Sequence, residues 1–214
     1  MQSLAVNNPV TSKRHMTNMV TCRASPKNLS SHPFETVSEI EAYSEHSIGS
    51  VYSLLVECLV TESPEFQKSH LKIDHIASHV AKCVGVVNVL RGLVHNAKRS
   101  RCYIPNDLLL KHGASHEDFL RSSARKEVSD VCYDLSCTAK NHLDKTYVLF
   151  AELKDYSILN LFLPVIFAEI YLNRIERANF NVFSQELGRK DTNLPLKLWW
   201  KSFILKLKSK RIKK

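Results

Sequence analysis

The residues that could do metal chemistry lie in one short stretch. His70, Asp74, His75 and His79 carry ligand atoms, and His75 and His79 stand one helical turn apart. A zinc protease would place a catalytic glutamate between two such histidines and a third ligand elsewhere, and neither is evident here. The pattern therefore leaves two interpretations, a metal site or the polar face of a helix.

A basic cluster follows, formed by Arg91, Lys98, Arg99 and Arg101. Arginine can bind a phosphate directly, but a solvated loop would carry the same charges. No Asp or Glu occurs from His75 through Asn106, so this stretch lacks the anionic oxygen ligands that Mg²⁺ prefers. The chain shows no nucleophile elbow, Ser/His/Asp order or glycine-rich phosphate loop. We therefore predict no catalytic residue, no cofactor-binding residue and no metal site.

The C-terminal residues predict a basic amphipathic helix over 194–214. Apolar side chains that share one face of this helix are Leu196, Trp199, Trp200, Phe203, Ile204 and Leu207. Basic residues, among them Lys197, Lys201, Lys208 and Arg211, lie largely opposite. Paired Trp beside many Lys is typical of a helix in a membrane interface, where Trp199, Trp200, Lys201, Phe203, Ile204 and Lys208 would be the contacts. Alternatively, the aromatic face closes the helical core.

The elements that would position these residues are all helical. Apolar spacings of three and four predict helices that begin near 38 and cover 72–94, 126–150, 164–178 and 194 onward, with short helices at 107–111 and 116–121. Ser38 and Glu41 have capping-box spacing, Gly113 suits a helix C-cap and Ser115 an N-cap. Residues 61–69 and 179–193 are expected to be loops. No alternating strand pattern occurs, so the predicted fold class is all-α.

The charge of the chain is concentrated in its tails. Of the formal charge of +9, residues 1–37 contribute +3 and residues 197–214 contribute +8, which leaves −2 for the body. A nucleic-acid-binding domain usually carries its basic residues on the body, so we expect no nucleic-acid partner. Basic tails fit an anionic membrane surface, and residues 1–34, which have no acid, are typical of either a mitochondrial presequence or a disordered terminus.

The cysteines and apolar runs narrow the class of protein further. Six cysteines without a CxxC pair indicate reduced, mostly buried thiols rather than a disulfide framework. The longest apolar stretch, 158–172, is shorter than the ~20 residues of a membrane span, so we expect none. The predicted organisation is a disordered or presequence segment over 1–37, a helical domain over 38–193 and the terminal helix over 194–214.

One segment resembles the second aspartate-rich region of squalene and phytoene synthases. Asn88-Val-Leu-Arg91 and Arg101-Cys-Tyr-Ile-Pro105 match the two halves of that motif, and the resemblance extends over about 38–200. It implies a partial isoprenoid-synthase-like helical bundle. In that family the acids of this motif bind Mg²⁺, which holds a substrate diphosphate. Here the corresponding positions are Gly92, His95 and Asn96, so the resemblance implies a degenerate metal site and a pseudoenzyme.

Three further segments are similar to a family of mitochondrial complex I assembly factors, assembly factor 6. They are Asp74–His79, Lys111–Arg121 and Val131–Asp134. This resemblance implies a non-catalytic assembly factor of respiratory complex I at the matrix side of the inner membrane. Its partners would be complex I subunits or assembly intermediates, in early biogenesis of the module around mitochondrially encoded core subunit 1, together with anionic lipids. The alternatives are a prenyl-diphosphate-using transferase with an altered site, and a protein whose membrane-binding tails alone matter.

Overall fold

A computed structural model describes residues 34–62, 64–153, 158, 163–188 and 192–212. The first tail, residues 1–33, lies outside the described residues, and so does the presequence prediction made for it. In chain order the elements are α1 (Val37–Ser44), a π-helical turn (Glu45–Gly49), α2 (Ser50–Glu62), α3 (Pro64–Gln67), α4 (His70–Ala97), α5 (Asn106–His112), α6 (His116–Leu120), α7 (Lys126–Leu153), α8 (Leu163–Arg177), α9 (Gln185–Gly188) and α10 (Leu194–Ile212). Within the described ranges there is no β-strand, in agreement with the predicted all-α class.

Two long helices, α4 and α7, pack together at the centre of the fold. Apolar spacing of three and four predicts an inner face of α7, and all eight of its residues are buried: Val128, Val131, Cys132, Leu135, Ala139, Leu143, Thr146 and Phe150. The small residues Ala77, Ala81 and Gly85 are buried on α4. Gly85 lies so close to α1 that a β-carbon there would be 1.8 Å from Ser44 Oγ. Around this pair α1, α2 and α8 pack on α4.

The buried face of the first helical segment differs from the prediction. The three- and four-residue spacing of the apolar residues between Ile40 and Leu59 predicts Val51, Leu55 and Cys58 on the inner face, but all three are exposed. Tyr52 and Val56 are buried instead. The cause is the π-helical turn at Glu45–Gly49, because a wider turn shifts every following residue around the helix axis. Extending the periodicity of α1 across this turn therefore selects the wrong face of α2.

The helix termini agree with the sequence at two of three caps. Gly113 ends α5 in the left-handed conformation at φ 65°, and Ser115 begins α6 with a complete capping box to Asp118. The cap predicted at Ser38 is wrong, because Thr36 is the N-cap of α1 and accepts from the Glu39 amide at 3.3 Å. Thr36 and Glu39 have the same capping-box spacing as the expected pair, Ser38 and Glu41, and lie two residues earlier. Of the two predicted loops, 61–69 contains the end of α2 and α3, and 179–193 contains α9.

The central helix α4 is long and apolar enough, by length and composition, to cross a membrane, and no other helix in the described residues is. The sequence predicts no membrane span here, because polar residues interrupt its apolar runs. More than half of its most apolar window is buried inside the protein, at 56%. Packing against α1, α2, α7 and α8 accounts for its apolar character.

The cysteines of the described residues carry free thiols. Cys83, Cys102 and Cys132 are buried, Cys137 is half-buried and Cys58 is exposed. Burial raises the pKa of Cys83 to about 12 and that of Cys102 to about 11. Such thiols stay protonated near neutral pH and are poor nucleophiles. Three of these five cysteines are buried, in agreement with the predicted burial of most of them.

Candidate functional site

The last three turns of α4 carry the residues that occupy the predicted metal positions. His95 is exposed, whereas Gly92 and Asn96 are half-buried. A β-carbon on Gly92 would lie 3.1 Å from the Asn96 side-chain nitrogen, so the two positions are adjacent on the helix surface. This surface offers one imidazole and one amide and no carboxylate. Across the part of the chain that the structure describes, no group of three or more His, Cys, Asp or Glu side chains could hold a metal ion.

A small pocket is lined by residues of α4, α8, α9 and α10. Its lining residues are Arg91, Phe167, Ile170, Tyr171, Arg174, Leu187 and Leu194, and its volume is about 80 Å³. The Arg91 guanidinium lies over the Phe167 ring, 5.3 Å from its centroid, and donates to Asn88 Oδ1 at 3.4 Å. Burial raises the pKa of Tyr171 to about 12. The pocket is therefore small and contains two arginines, Arg91 and Arg174, and its phenol, Tyr171, stays protonated near neutral pH.

The rest of the basic cluster does not join Arg91 at this pocket. Lys98, Arg99 and Arg101 are exposed in the turn after α4. Ser100 in this turn has a positive φ of 54°, and the Arg101 amide donates to Asn96 O at 2.9 Å. The structure thus agrees with a solvated loop for these three side chains and assigns only Arg91 to a pocket.

A chain of polar side chains in the N-terminal half of α4 joins this helix to α7 and α1. Nδ1 of His79 and Nδ1 of His142 on α7 are 2.9 Å apart, and His142 Nε2 donates to Glu41 Oε1 on α1 at 2.9 Å. His75 contacts the His79 ring, with centroids 4.9 Å apart. Burial, followed by repulsion from His142, lowers the pKa of His79 to about 4. His79 is therefore neutral near pH 7 and belongs to an interhelical network, whereas Asp74 instead accepts from Ser53 at 3.1 Å.

The motif segments Lys111–Arg121 and Val131–Asp134 meet in the fold. Asp134 Oδ2 accepts from Lys111 Nζ at 2.6 Å and from His112 Nε2 at 2.8 Å, which links α5 to α7. Partial burial works to raise the pKa of the Asp134 carboxyl, but the hydrogen bonds from Lys111 and His112 outweigh it and leave the pKa low. These residues hold two helices together and form no recognisable catalytic set.

The aromatic face predicted for the terminal helix lies outside the core. Trp199 is 59% exposed and Trp200 is 55% exposed, and Leu196, Phe203 and Leu207 are exposed as well. The rings of Trp199 and Phe203 are stacked at an interplanar angle of 9°. Ile204 is half-buried, and the side chain of Lys208 lies outside the described residues. The interpretation in which this face closes the core is wrong for these five side chains.

The core is contacted by a different side of α10. Leu198 packs against the core and Ser202 is buried. Lys201 donates to one oxygen of Glu169 on α8, and the Tyr147 hydroxyl of α7 donates to the other at 2.5 Å. Burial and this hydrogen bond raise the pKa of Tyr147. Lys201, expected among the membrane contacts, therefore helps to fix α10 to the protein.

Sequence reasoning did not find the His79–His142–Glu41 network or the Tyr147–Glu169–Lys201 contact. One signal for the first was available. His142 falls on the buried stripe of α7 next to Leu143, and a buried histidine needs polar partners. Its partners could not be read from the sequence because they are 63 and 101 residues away.

A sequence model of the family described as squalene/phytoene synthase matches residues 3–200. Among solved structures, a squalene synthase from Alicyclobacillus acidocaldarius is similar with a TM-score of 0.65 at 17% identity, over 80% of this chain and 63% of that one. At this identity the structural likeness supports the helical fold alone.

Two relatives are similar over most of this chain. The mouse protein named NADH dehydrogenase (ubiquinone) complex I, assembly factor 6, is 34% identical over 177 residues, which is 83% of this chain and 51% of the mouse protein. The Drosophila melanogaster homolog of that factor is 32% identical over 193 residues, or 90% of this chain and 54% of its own length. The chain thus spans about half the length of the curated relatives it matches.

Proposed function

The chain belongs to the squalene/phytoene synthase family, and we propose that it is a non-catalytic member that assists the assembly of mitochondrial respiratory complex I. The observation that carries the proposal is the surface of α4. A fold whose family uses carboxylates there presents Gly92, His95 and Asn96 instead. A Mg²⁺ ion requires hard oxygen ligands in a near-octahedral arrangement, and this surface offers one amide oxygen. Because this surface lacks the ligands for a catalytic metal, we propose that the protein functions by binding other proteins.

The relatives support the same assignment independently of the site. Proteins named for complex I assembly are 32% and 34% identical to this chain over nine-tenths and four-fifths of its length. Two of the three segments that suggested this family, Lys111–Arg121 and Val131–Asp134, contact each other where Lys111 and His112 of α5 bind Asp134 of α7. Their contact stabilises the body, whose surface would bind partners.

We assign the protein to the matrix side of the mitochondrial inner membrane. Its partners would be subunits or intermediates of complex I, in early biogenesis of the module that contains mitochondrially encoded core subunit 1. The +8 charge of residues 197–214 fits attachment to anionic lipids of that membrane. The body, in contrast, has a net charge of only −2 over residues 38–196, so we expect no nucleic-acid partner.

The test is a gene deletion followed by complementation. Loss of the protein should lower assembled complex I on native gels and its NADH–ubiquinone activity, and it should spare the other respiratory complexes. The wild-type chain and the triple variant G92A/H95A/N96A should restore complex I equally, because none of the three side chains holds a metal. Removal of Asn96 also makes space for the β-carbon at position 92.

Two results would contradict the proposal. Normal complex I together with a changed prenyl-lipid profile would favour the transferase alternative. A folded triple variant that fails to restore complex I and also changes the prenyl-lipid profile would show that this helix surface acts on a prenyl substrate. Circular dichroism of the purified variant would separate that case from simple unfolding.

A further inference from the structure

We propose that the outer face of α10, formed by Leu196, Trp199, Trp200, Phe203 and Leu207, lies in the interface of an anionic lipid bilayer. All five side chains are exposed, and Leu196 is the most exposed at 64%. Around the helix axis they lie about 100° to 200° from Leu198, at about 100° per residue. The outer face is therefore opposite the side of α10 that contacts the core. The inference requires only a lipid surface and does not depend on a role in complex I assembly.

The inner side of α10 already has its partners in the protein. Leu198 packs on the core, and Lys201 is bound to Glu169, which also accepts from Tyr147. These contacts fix the rotation of α10 about its own axis. Turning the aromatic side chains inward would break the hydrogen bonds of a half-buried carboxylate, which is unfavourable. The fold thus holds a stacked pair, Trp199 and Phe203, on its outer surface.

The positive charge of residues 197–214 indicates what binds this outer face. Residues 197–214 contain eight Lys or Arg and no acid. A second copy of the chain would bring +8 against +8, so association of two such faces is opposed by repulsion. A bilayer with anionic headgroups offers negative charge beside an apolar layer, which suits aromatic side chains next to lysines.

Fluorescence can report this contact directly, because Trp199 and Trp200 are the only tryptophans in the chain. The purified full chain would be mixed with phosphatidylcholine vesicles that contain cardiolipin and with vesicles that lack it. We expect co-sedimentation and a blue shift of the emission with cardiolipin, both weaker in high salt because the attraction is screened. Vesicles without cardiolipin should bind the protein much less.

Paired variants test which surface is responsible. W199A/W200A should lower the vesicle partition coefficient at least roughly tenfold, as expected for the loss of buried aromatic side chains. For this variant sedimentation replaces fluorescence as the readout. The matched control, L71A/L110A, removes side chains that are 82% and 83% exposed on α4 and α5 and should bind like the wild type.

Several outcomes would overturn the inference. Equal binding by W199A/W200A, or wild-type binding without a blue shift, would mean that the lysines adsorb alone. Absence of binding would also overturn it, and a dimer dispersed by W199A/W200A would then mark a self-association surface. None of these results bears on complex I levels in the deletion strain, so the two proposals fail separately.

Discussion

The contact between Gly85 and Ser44 gives the sharpest test of how this fold is held together. In G85A the new β-carbon would lie 1.8 Å from Ser44 Oγ and 2.3 Å from Ser44 Cβ. Rotating the Ser44 hydroxyl would remove the first clash but leave the second, because Cβ does not move with χ1. Helices α1 and α4 would therefore have to separate by about 1 Å to restore normal contact distances.

The expected cost follows from two opposing effects. Overpacking of a well-packed core costs about 1–3 kcal/mol, and a shift along a whole helix interface favours the upper end of that range. Replacing Gly by Ala within a helix recovers about 1 kcal/mol. The net loss of unfolding free energy is about 2 kcal/mol. In a chain of this size that corresponds to a fall in Tm of about 4–8 °C.

Urea denaturation followed by far-UV circular dichroism would measure this loss. Gly49 supplies the matched control, because a β-carbon there would lie 3.5 Å from Ala81 Cβ, an ordinary contact. G49A should be neutral or slightly stabilising. A second-site test is more specific: S44G should restore stability to G85A because it removes the clashing side chain, whereas S44A should not because it keeps Cβ.

The reasoning is refuted if G85A is as stable as the wild type. It is also refuted if S44A rescues G85A as well as S44G does, because that result would place the conflict at the hydroxyl alone.

Three further predictions follow from other sites. Calorimetry with farnesyl diphosphate and Mg²⁺ should give no heat of binding, and a micromolar, metal-dependent isotherm would sink the pseudoenzyme assignment. The pKa of His79 is about 4 in the folded chain and about 6.5 in the unfolded chain, so the unfolded state takes up a proton first and the stability should fall as the pH drops through that window. In H79Q the urea midpoint should therefore change less between about pH 7 and about pH 5 than in the wild type. An unchanged dependence of the midpoint on pH would contradict this. E169Q should lower the free energy of unfolding by about 1–2 kcal/mol, because it weakens the hydrogen bonds from Tyr147 and Lys201. Its effect should not add to that of Y147F. Full additivity in a double-mutant cycle would show that the contact between Tyr147 and Glu169 contributes nothing.

Much of the fold can be predicted from the sequence because its signals are local. The buried stripe of α7, the Gly113 and Ser115 caps and the start of α10 all depend on residues within a few turns of one another. The absence of acids from His75 through Asn106 is equally a property of the sequence and needs no structure to be seen.

The remaining features were decided by the tertiary structure. The π-helical turn at Glu45–Gly49 changes the buried face of α2, and nothing in the local apolar spacing marks the extra residue. The network of His79, His142 and Glu41 joins positions separated by 63 and 101 residues. Terminal helix α10 shows the same division. Its amphipathic composition is evident in the sequence, but periodicity only groups side chains on faces, and packing on α8 determines which face meets the core.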